Sequence, residues 1–135
     1  MSTQTLSQRR ARHALDRIEA HRAHKDGTNH YKNYVSYAES LPATILMNGL
    51  GQACATLLSK AGGKLDRPHG LLYGDLQSWL CRSDTAAPYR GMDDLMRAIT
   101  TKDQANYLCA QAEALAYLVW LKKFANAYLE RGTCE

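Results

Sequence analysis

The sequence contains few of the patterns from which sheets, disulfide frameworks and membrane spans are built. Val, Ile and Thr never alternate with polar residues over four or more positions, so no segment predicts a β-strand. The longest apolar run, 43–58, is interrupted by polar residues and glycines and is shorter than the roughly 20 residues that a bilayer span requires. The four cysteines include no CxxC pair, which argues against zinc-binding and disulfide frameworks. These absences predict an all-α protein without a membrane span.

Signatures of common catalytic and metal sites are missing as well. There is no GxSxG, P-loop or HExxH motif, and the acidic residues are scattered. His13, His21 and His24 could share a metal ion, but no Cys, Asp or Glu completes a recognisable ligand set, and we interpret them as surface histidines. We therefore expect no catalytic residue, no metal or other cofactor and no small-molecule substrate. A small metal-dependent hydrolase or nuclease that uses these histidines is an alternative.

Length and composition are those of one ordinary globular domain. The chain has 135 residues, of which 45% are hydrophobic and 22% charged, so we expect a single helical domain over residues 1–135. Residues 1–5 lack the apolar region of a signal peptide, and Arg9 and Arg10 follow almost at once. This pattern favours a cytoplasmic protein.

Apolar residues recur at helical spacing along most of the chain and predict an irregular bundle of about six helices. The 42–60 helix is apolar nearly all round, so it should be the central, buried helix. The C-terminal helix should be long, at roughly 40 Å. The expected helices span residues 5–24, 31–40, 42–60, 68–81, 92–99 and 103–131, with loops at 25–30 and 82–91.

Capping residues and prolines predict where these helices begin and end. The sequences TLSQ at 5–8 and TKDQ at 101–104 both fit capping boxes, in which side chains bond the unpaired backbone N–H groups of a first turn. Pro42 should separate the second helix from the third, because the residue before a proline resists the helical conformation. Gly132 suits the end of the last helix.

The first helix carries an arginine-rich face. Arg9, Arg10 and Arg17 lie apart from the apolar stripe of the helix, whereas Asp16 and Glu19 lie away from that face. Arginines clustered without acidic neighbours suit phosphate oxygens, because a guanidinium group donates two parallel hydrogen bonds. The simpler interpretation is a solvated helix face. If these arginines serve RNA alone, replacing Arg10 and Arg17 by alanine should leave the melting temperature unchanged.

Weaker basic patches follow the third predicted helix and lie on the last one. The chain has 17 Lys and Arg against 13 Asp and Glu, a mild net charge of +4. Residues 1–32 hold seven of the basic residues against three acidic ones, and this asymmetry favours a polyanion as the partner of that end. The candidate RNA-binding residues are, first, Arg9, Arg10 and Arg17 and, second, Lys60, Lys64, Lys122 and Lys123.

Three tyrosines at helical spacing could stack on nucleobases. Tyr31, Tyr34 and Tyr37 are three residues apart, a spacing that places them along one side of a helix. Aromatic residues at this spacing more often form part of the core. We interpret the three tyrosines as a core stripe.

Several segments can be compared with known families. They are YVSYAESLPA at 34–43 with ILMNGLGQA at 45–53, QAEALAYL at 111–118 with WLKKFA at 120–125, LLY at 71–73 with LQSWL at 76–80, and QRRA at 8–11. Together these segments resemble the small-subunit family of Cmr (type III-B) CRISPR effector complexes, and the similarity covers most of the chain.

The resemblance implies an all-helical scaffold without catalytic activity. Family members stack in several copies beside the subunits that hold the guide RNA, and they contact phosphates of the guide and target RNA through basic surface residues. Neighbouring subunits cleave the target. The resemblance therefore implies four kinds of partner: other Cmr subunits, copies of this chain, guide RNA and target RNA. The small helical subunit of a type III-A complex is an alternative, which the 41–53 motif disfavours.

Overall fold

The computed structural model describes residues 3–23 and 28–129, and regular structure within these ranges is entirely helical. No helix in the described part of the chain is long and apolar enough to cross a bilayer. The six helices there are α1 (Leu6–Ala23), α2 (Thr28–Asn48), α3 (Leu50–Ala61), α4 (Pro68–Leu80), α5 (Leu95–Thr101) and α6 (Gln104–Tyr128). The prediction of an all-α bundle with a long C-terminal helix is confirmed.

The first and last helices pack side by side in the same direction. The Arg10 side chain meets Glu113 near the start of the contact, and the Arg22 guanidinium lies over the Tyr128 ring near its end. At 1.5 Å per residue, the 25 residues of α6 extend about 37 Å, so α6 runs along most of the bundle. α2 packs on α6 in the opposite direction.

The core is continuous and receives side chains from all six helices. α4 packs against α1, α2, α3 and α6 and buries seven of its 13 residues, the largest share of any described helix, which makes it the central element. The largest fully buried side chains are Tyr34, Tyr89, Tyr117, Ile18, Ile45, Leu50, Leu72, Leu76, Leu80, Leu95, Leu118 and Leu121.

The predicted break at Pro42 was wrong. Helix α2 continues through Pro42 as far as Asn48, because the proline costs one backbone hydrogen bond and the buried side chains on both sides of it hold the helix together. The chain turns instead at Gly49, whose φ is 90°. A side chain is strained at this φ, and a Cβ atom there would also lie 3.0 Å from the Tyr107 hydroxyl oxygen.

Side chains of α6 complete the turn at Gly49. The Leu50 N–H donates to Gln111 Oε1 at 2.9 Å, and the Gly51 N–H donates to the Tyr107 hydroxyl at 2.9 Å. These bonds satisfy backbone donors that the first turn of a helix leaves unpaired. The break therefore depends on residues that lie 56 and 61 positions later in the sequence.

The 42–60 segment is not the fully buried helix that its composition predicts. It is divided between α2 and α3, and the turn between them exposes 71% of Leu46 and 83% of Met47. α3 also exposes Gln52 and Thr56. The central position belongs to α4, which the sequence predicts at 68–81 and the structure places at Pro68–Leu80.

The capping predictions divide into one correct and one wrong. In the first box, the Thr5 N–H donates to Gln8 Oε1 at 2.8 Å, and the Gln8 N–H donates to Thr5 Oγ1 at 3.1 Å. In the second, Thr101 belongs to α5, where its hydroxyl donates to the Arg97 carbonyl oxygen. Asp103 caps α6 instead, because its carboxylate accepts from the Asn106 N–H and reaches the unpaired donors directly.

Other helix bounds differ at the ends. α2 begins at Thr28 rather than 31, so the loop predicted at 25–30 was too long; α5 begins at Leu95 rather than 92. The loop at 82–91 is confirmed as non-helical. α6 ends at Tyr128 because Leu129 is extended, and the cap expected at Gly132 lies outside the described residues, as does His24 at the expected end of the first helix.

Candidate nucleic-acid interface

The arginines of α1 face acidic residues that other elements supply. Arg10 makes a two-bond pair with Glu113 of α6, with Nε at 2.6 Å from one carboxylate oxygen and Nη2 at 3.0 Å from the other. The indole N–H of Trp79 donates to the same carboxylate at 2.9 Å. Burial alone would raise the pKa of Glu113, but these hydrogen bonds from Arg10 and Trp79 outweigh it and lower the pKa. Glu113 is therefore an ionised partner that holds Arg10 in place.

Arg17 is bound to the most deeply buried carboxylate of the bundle. Asp75 is completely buried in α4. It accepts hydrogen bonds from Arg17 Nε at 2.6 Å, His21 Nε2 at 2.8 Å and the Tyr34 hydroxyl at 2.5 Å. Burial, together with the charge and hydrogen bond of Asp75, raises the pKa of Tyr34. These contacts join α1, α2 and α4 around one charged group.

Arg9 of α1 reaches a more exposed cluster of charged residues in the loop after α4. Arg9 Nη1 lies 2.6 Å from Asp84 Oδ2, and Arg82 Nε lies 3.5 Å from the same atom. Arg82 also lies over the Trp79 ring, 3.6 Å from its centroid. Two guanidinium groups thus share one carboxylate, and the cluster keeps an excess of positive charge. Among the described residues, Arg9 Nε and Arg82 Nη2 have no hydrogen-bond partner.

The sequence prediction compared these arginines only with acids of their own helix. Asp16 and Glu19 form no ion pair with the arginines among the described residues, but Asp75, Asp84 and Glu113 approach from elements 58 to 103 residues further along the chain. No local pattern indicates these pairs. The arginine face is therefore largely an internal contact surface, and its role toward RNA stays a prediction.

Of the three histidines that could have held a metal, His13 is half-buried and His21 is buried, so the interpretation of these two as surface residues was wrong. His13 lies 2.7 Å from the Tyr117 hydroxyl and 2.9 Å from Ser78 Oγ, and burial lowers its pKa to about 4. His21 is buried against Asp75. His24 lies outside the described residues. In the ranges that the structure covers, no group of three His, Cys, Asp or Glu side chains could hold a metal ion.

The candidate lysines differ from the arginines in their surroundings. Lys60, Lys64 and Lys123 are exposed and Lys122 is half-buried. Within the described chain, none of the four forms an ion pair. The structure brings Lys60 and Lys64 to the end of α3 and the following turn, whereas Lys122 and Lys123 lie together on α6. No carboxylate in the described chain therefore competes with a dissolved anion for these four ammonium groups.

The three tyrosines do not form one stripe of equal burial. Tyr34 is a core residue, as predicted, with its hydroxyl on Asp75. Tyr37 is half-buried and stacks on His69, with ring centroids 3.7 Å apart and planes at 18°. The side chain of Tyr31 lies outside the described residues.

A groove of about 620 Å³ opens between α3 and α5. Small and apolar side chains line most of it, including Ala55, Met96 and Ile99, and its one charged residue is Lys60. It holds no carboxylate or histidine that could act with Lys60 as an acid–base pair. This lining does not suit hydrolytic chemistry.

One comparison with known proteins identifies the family. The sequence model for the CRISPR-associated protein family Cas_Cmr5 matches residues 6–128. The match begins with the first residue of α1 and ends with the last residue of α6, so it includes all six described helices. The resemblance found in the sequence is thereby confirmed, and the chain belongs to the CRISPR-associated Cas_Cmr5 family.

Proposed function

We propose that this chain is a non-catalytic structural subunit of a Cmr (type III-B) RNA-guided effector complex in the cytoplasm. Several copies stack beside the other Cmr subunits and contact phosphates of the guide and target RNA. The observation that carries the proposal is the family match over residues 6–128. It spans the whole bundle, so the fold as a unit is what the family shares.

The arrangement of polar groups supports a scaffold rather than an enzyme. Most of the buried polar side chains described above are bound to one another and link helices, as Asp75 links α4 to α1 and α2. A catalytic group must instead face a substrate-sized space in a usable protonation state. His13, whose pKa is lowered to about 4, is held between Tyr117 and Ser78.

The lysines are the strongest candidates for phosphate contacts. Lys60, Lys64, Lys122 and Lys123 bring charge to the surface without a carboxylate that must be displaced. Contacts of this kind position a strand without reading its sequence, which suits a complex whose specificity comes from base pairing.

The arginines can act on RNA only while they keep their structural partners. Arg17 is bonded to Asp75 through Nε, and its side chain is 36% exposed, so its outer N–H groups can reach a phosphate from the same position. Arg9 is 42% exposed, and its pair with Asp84 is a surface pair of the kind that water screens strongly. Arg10 donates from Nε and Nη2, along one edge of its guanidinium group, to Glu113; its side chain is only 21% exposed, which makes it the weakest of the three candidates.

Two exposed apolar side chains support a position for the proposed stacking contact. Leu46 and Met47 are adjacent at the end of α2 and are the two most exposed large apolar residues in the described chain. Contiguous exposed apolar patches mark contact sites with other proteins, whereas scattered single apolar residues do not. We assign the stacking contact to this end of α2.

Co-expression with the other Cmr subunits tests the function. The tagged chain should co-purify with them in more than one copy, counted by native mass spectrometry, and the Leu46→Ser/Met47→Ser variant should reduce the copy number without loss of folding. Failure to co-purify would refute the proposal, and co-purification with type III-A subunits instead would favour that alternative. Bound metal or RNA cleavage by the purified chain would favour the hydrolase.

Salt dependence tests the phosphate contacts. The variant with Lys60, Lys64, Lys122 and Lys123 all changed to alanine should bind single-stranded RNA more weakly. It should also flatten the plot of log affinity against log salt by about 0.7 for each phosphate that is no longer neutralised. Lys102→Ala removes an exposed lysine outside the candidate set and serves as the control. An unchanged slope in the fourfold variant would remove the four lysines from the RNA interface.

A further inference from the structure

The end of α3 and the start of α4 form a tightly folded corner. We define the α3–α4 corner as residues 60–69 together with Tyr37, which packs on it from α2. α3 ends in a Schellman motif, with the Gly62 N–H donating to the Ser59 carbonyl oxygen at 3.1 Å and the Gly63 N–H to that of Leu58 at 3.0 Å. This motif reverses the chain and carries Lys64 back toward α4.

The corner is held against the first turn of α4. A Cβ atom on Gly70 would lie 2.1 Å from the Lys64 carbonyl oxygen, so the loop backbone touches the helix where only glycine fits. The Lys64 backbone is thereby fixed against Gly70, which follows His69 in the sequence. Burial first and the charge of Lys60 second lower the pKa of His69. The neutral form of the imidazole is therefore favoured.

Two features of the α3–α4 corner match what single-stranded RNA offers. Lys60, Lys64 and Arg67 are exposed, and Asp66 is the one acidic residue among them, so the corner is positively charged. The second feature is the stacked ring pair of Tyr37 and His69. Both rings are half-buried, so part of each is open to solvent. Basic side chains beside aromatic rings are the usual means of binding single strands, since every nucleobase has a face that can stack.

We propose that the α3–α4 corner binds one nucleotide step of single-stranded RNA, with a base stacked on the Tyr37–His69 pair and the adjoining phosphates on Lys60, Lys64 and Arg67. The choice of RNA rests on the proposed function. The inference goes beyond it because it assigns contact with a base to a subunit otherwise expected to touch phosphates alone. Stacking without hydrogen bonds to the base edge tolerates any sequence, which fits specificity set by the guide.

Titration with two strands tests the stacking. The full chain is titrated at low salt with a short oligouridylate and with an abasic ribose-phosphate strand of the same length, and the ring resonances of His69 are followed by NMR. The wild type should bind the oligouridylate at least about fivefold more tightly, the low end of the effect of one stacking ring. His69→Ala should abolish this preference, and His69→Phe should retain it.

Charge variants separate the base contact from the phosphate contacts. Lys60→Ala/Lys64→Ala should weaken binding of both strands to the same extent, and Lys102→Ala should leave both unchanged. Equal wild-type affinity for the two strands, an equal effect of His69→Ala on both, or no binding of either strand overturns the stacking proposal. None of these results bears on co-purification with Cmr subunits, which is judged separately.

Discussion

Replacing Arg17 by alanine should destabilise the protein, contrary to what a purely RNA-binding arginine would do. The side chain bonds Asp75, which is completely buried and also accepts from His21 and Tyr34. Arg17→Ala leaves that carboxylate with one charge-bearing partner fewer. A buried carboxylate without its ion pair loses interaction that water cannot replace.

The expected cost is about 2 kcal/mol. Removing one partner of a fully buried ion pair costs about 3–5 kcal/mol. Two features reduce this value: the Arg17 side chain is 36% exposed, so water screens part of the attraction, and His21 and Tyr34 continue to bond Asp75. For a domain of this length, about 2 kcal/mol corresponds to a melting temperature lower by about 6–10 °C.

Thermal and urea unfolding followed by circular dichroism measure the effect at neutral pH. Arg12→Ala is the matched control, because Arg12 is exposed on the same helix and forms no ion pair within the described residues; its effect should stay within about 0.5 kcal/mol. Arg17→Lys keeps the charge but not the guanidinium geometry and should fall between the two. If Arg17→Ala melts within about 2 °C of Arg12→Ala, Arg17 does not hold Asp75 as described.

Two further predictions concern pH and backbone packing. His13 has a pKa of about 4 in the folded protein and about 6.5 in the unfolded protein. Between these two pH values the unfolded state binds a proton that the folded state does not, so the free energy of unfolding declines as the pH falls from about 6.5 to about 4. Discounted for partial exposure, the loss at pH 5 is on the order of 1 kcal/mol, and His13→Asn should show a smaller decline in urea unfolding; an identical decline in both proteins would contradict it. Gly70→Ala should destabilise by about 1–3 kcal/mol because its Cβ would meet the Lys64 carbonyl oxygen, whereas Gly74→Ala, with nothing within 4 Å, should stabilise by up to about 1 kcal/mol. Equal melting temperatures for the two glycine variants would show that the corner is not packed as described.

Features that depend on neighbouring residues were predictable from the sequence. The Thr5–Gln8 capping box and the α4 bounds follow from local patterns, and the structure confirms both. The turn at Gly49 was missed, because Pro42 carries a general penalty in helices whereas the Gly49 turn depends on Tyr107 and Gln111. Sequence spacing cannot show that side chains 56 and 61 residues away satisfy the first donors of α3.

The candidate interface, too, was predictable only as far as neighbouring residues define it. Clustering of Arg9, Arg10 and Arg17 was visible, but their carboxylate partners lie 75, 103 and 58 residues away. α1 completely buries few apolar side chains, Ala14 and Ile18, so polar contacts provide much of its attachment to the bundle. The arginine-rich face of α1 therefore helps to attach the helix to the bundle, whether or not it also binds a ligand.

Residue type offered a clue that the positions of the charges did not. Arginine presents a planar group that matches a fixed carboxylate, as Arg10 matches both oxygens of Glu113. Lysine carries a compact, strongly hydrated charge that remains in solvent at little cost, as Lys60 and Lys64 do here. The arginines that pair with carboxylates inside the protein contribute little positive charge to its surface. The exposed lysines therefore determine where a polyanion can bind. For this chain, that reasoning moves the expected RNA contacts from α1 to the α3–α4 corner and α6.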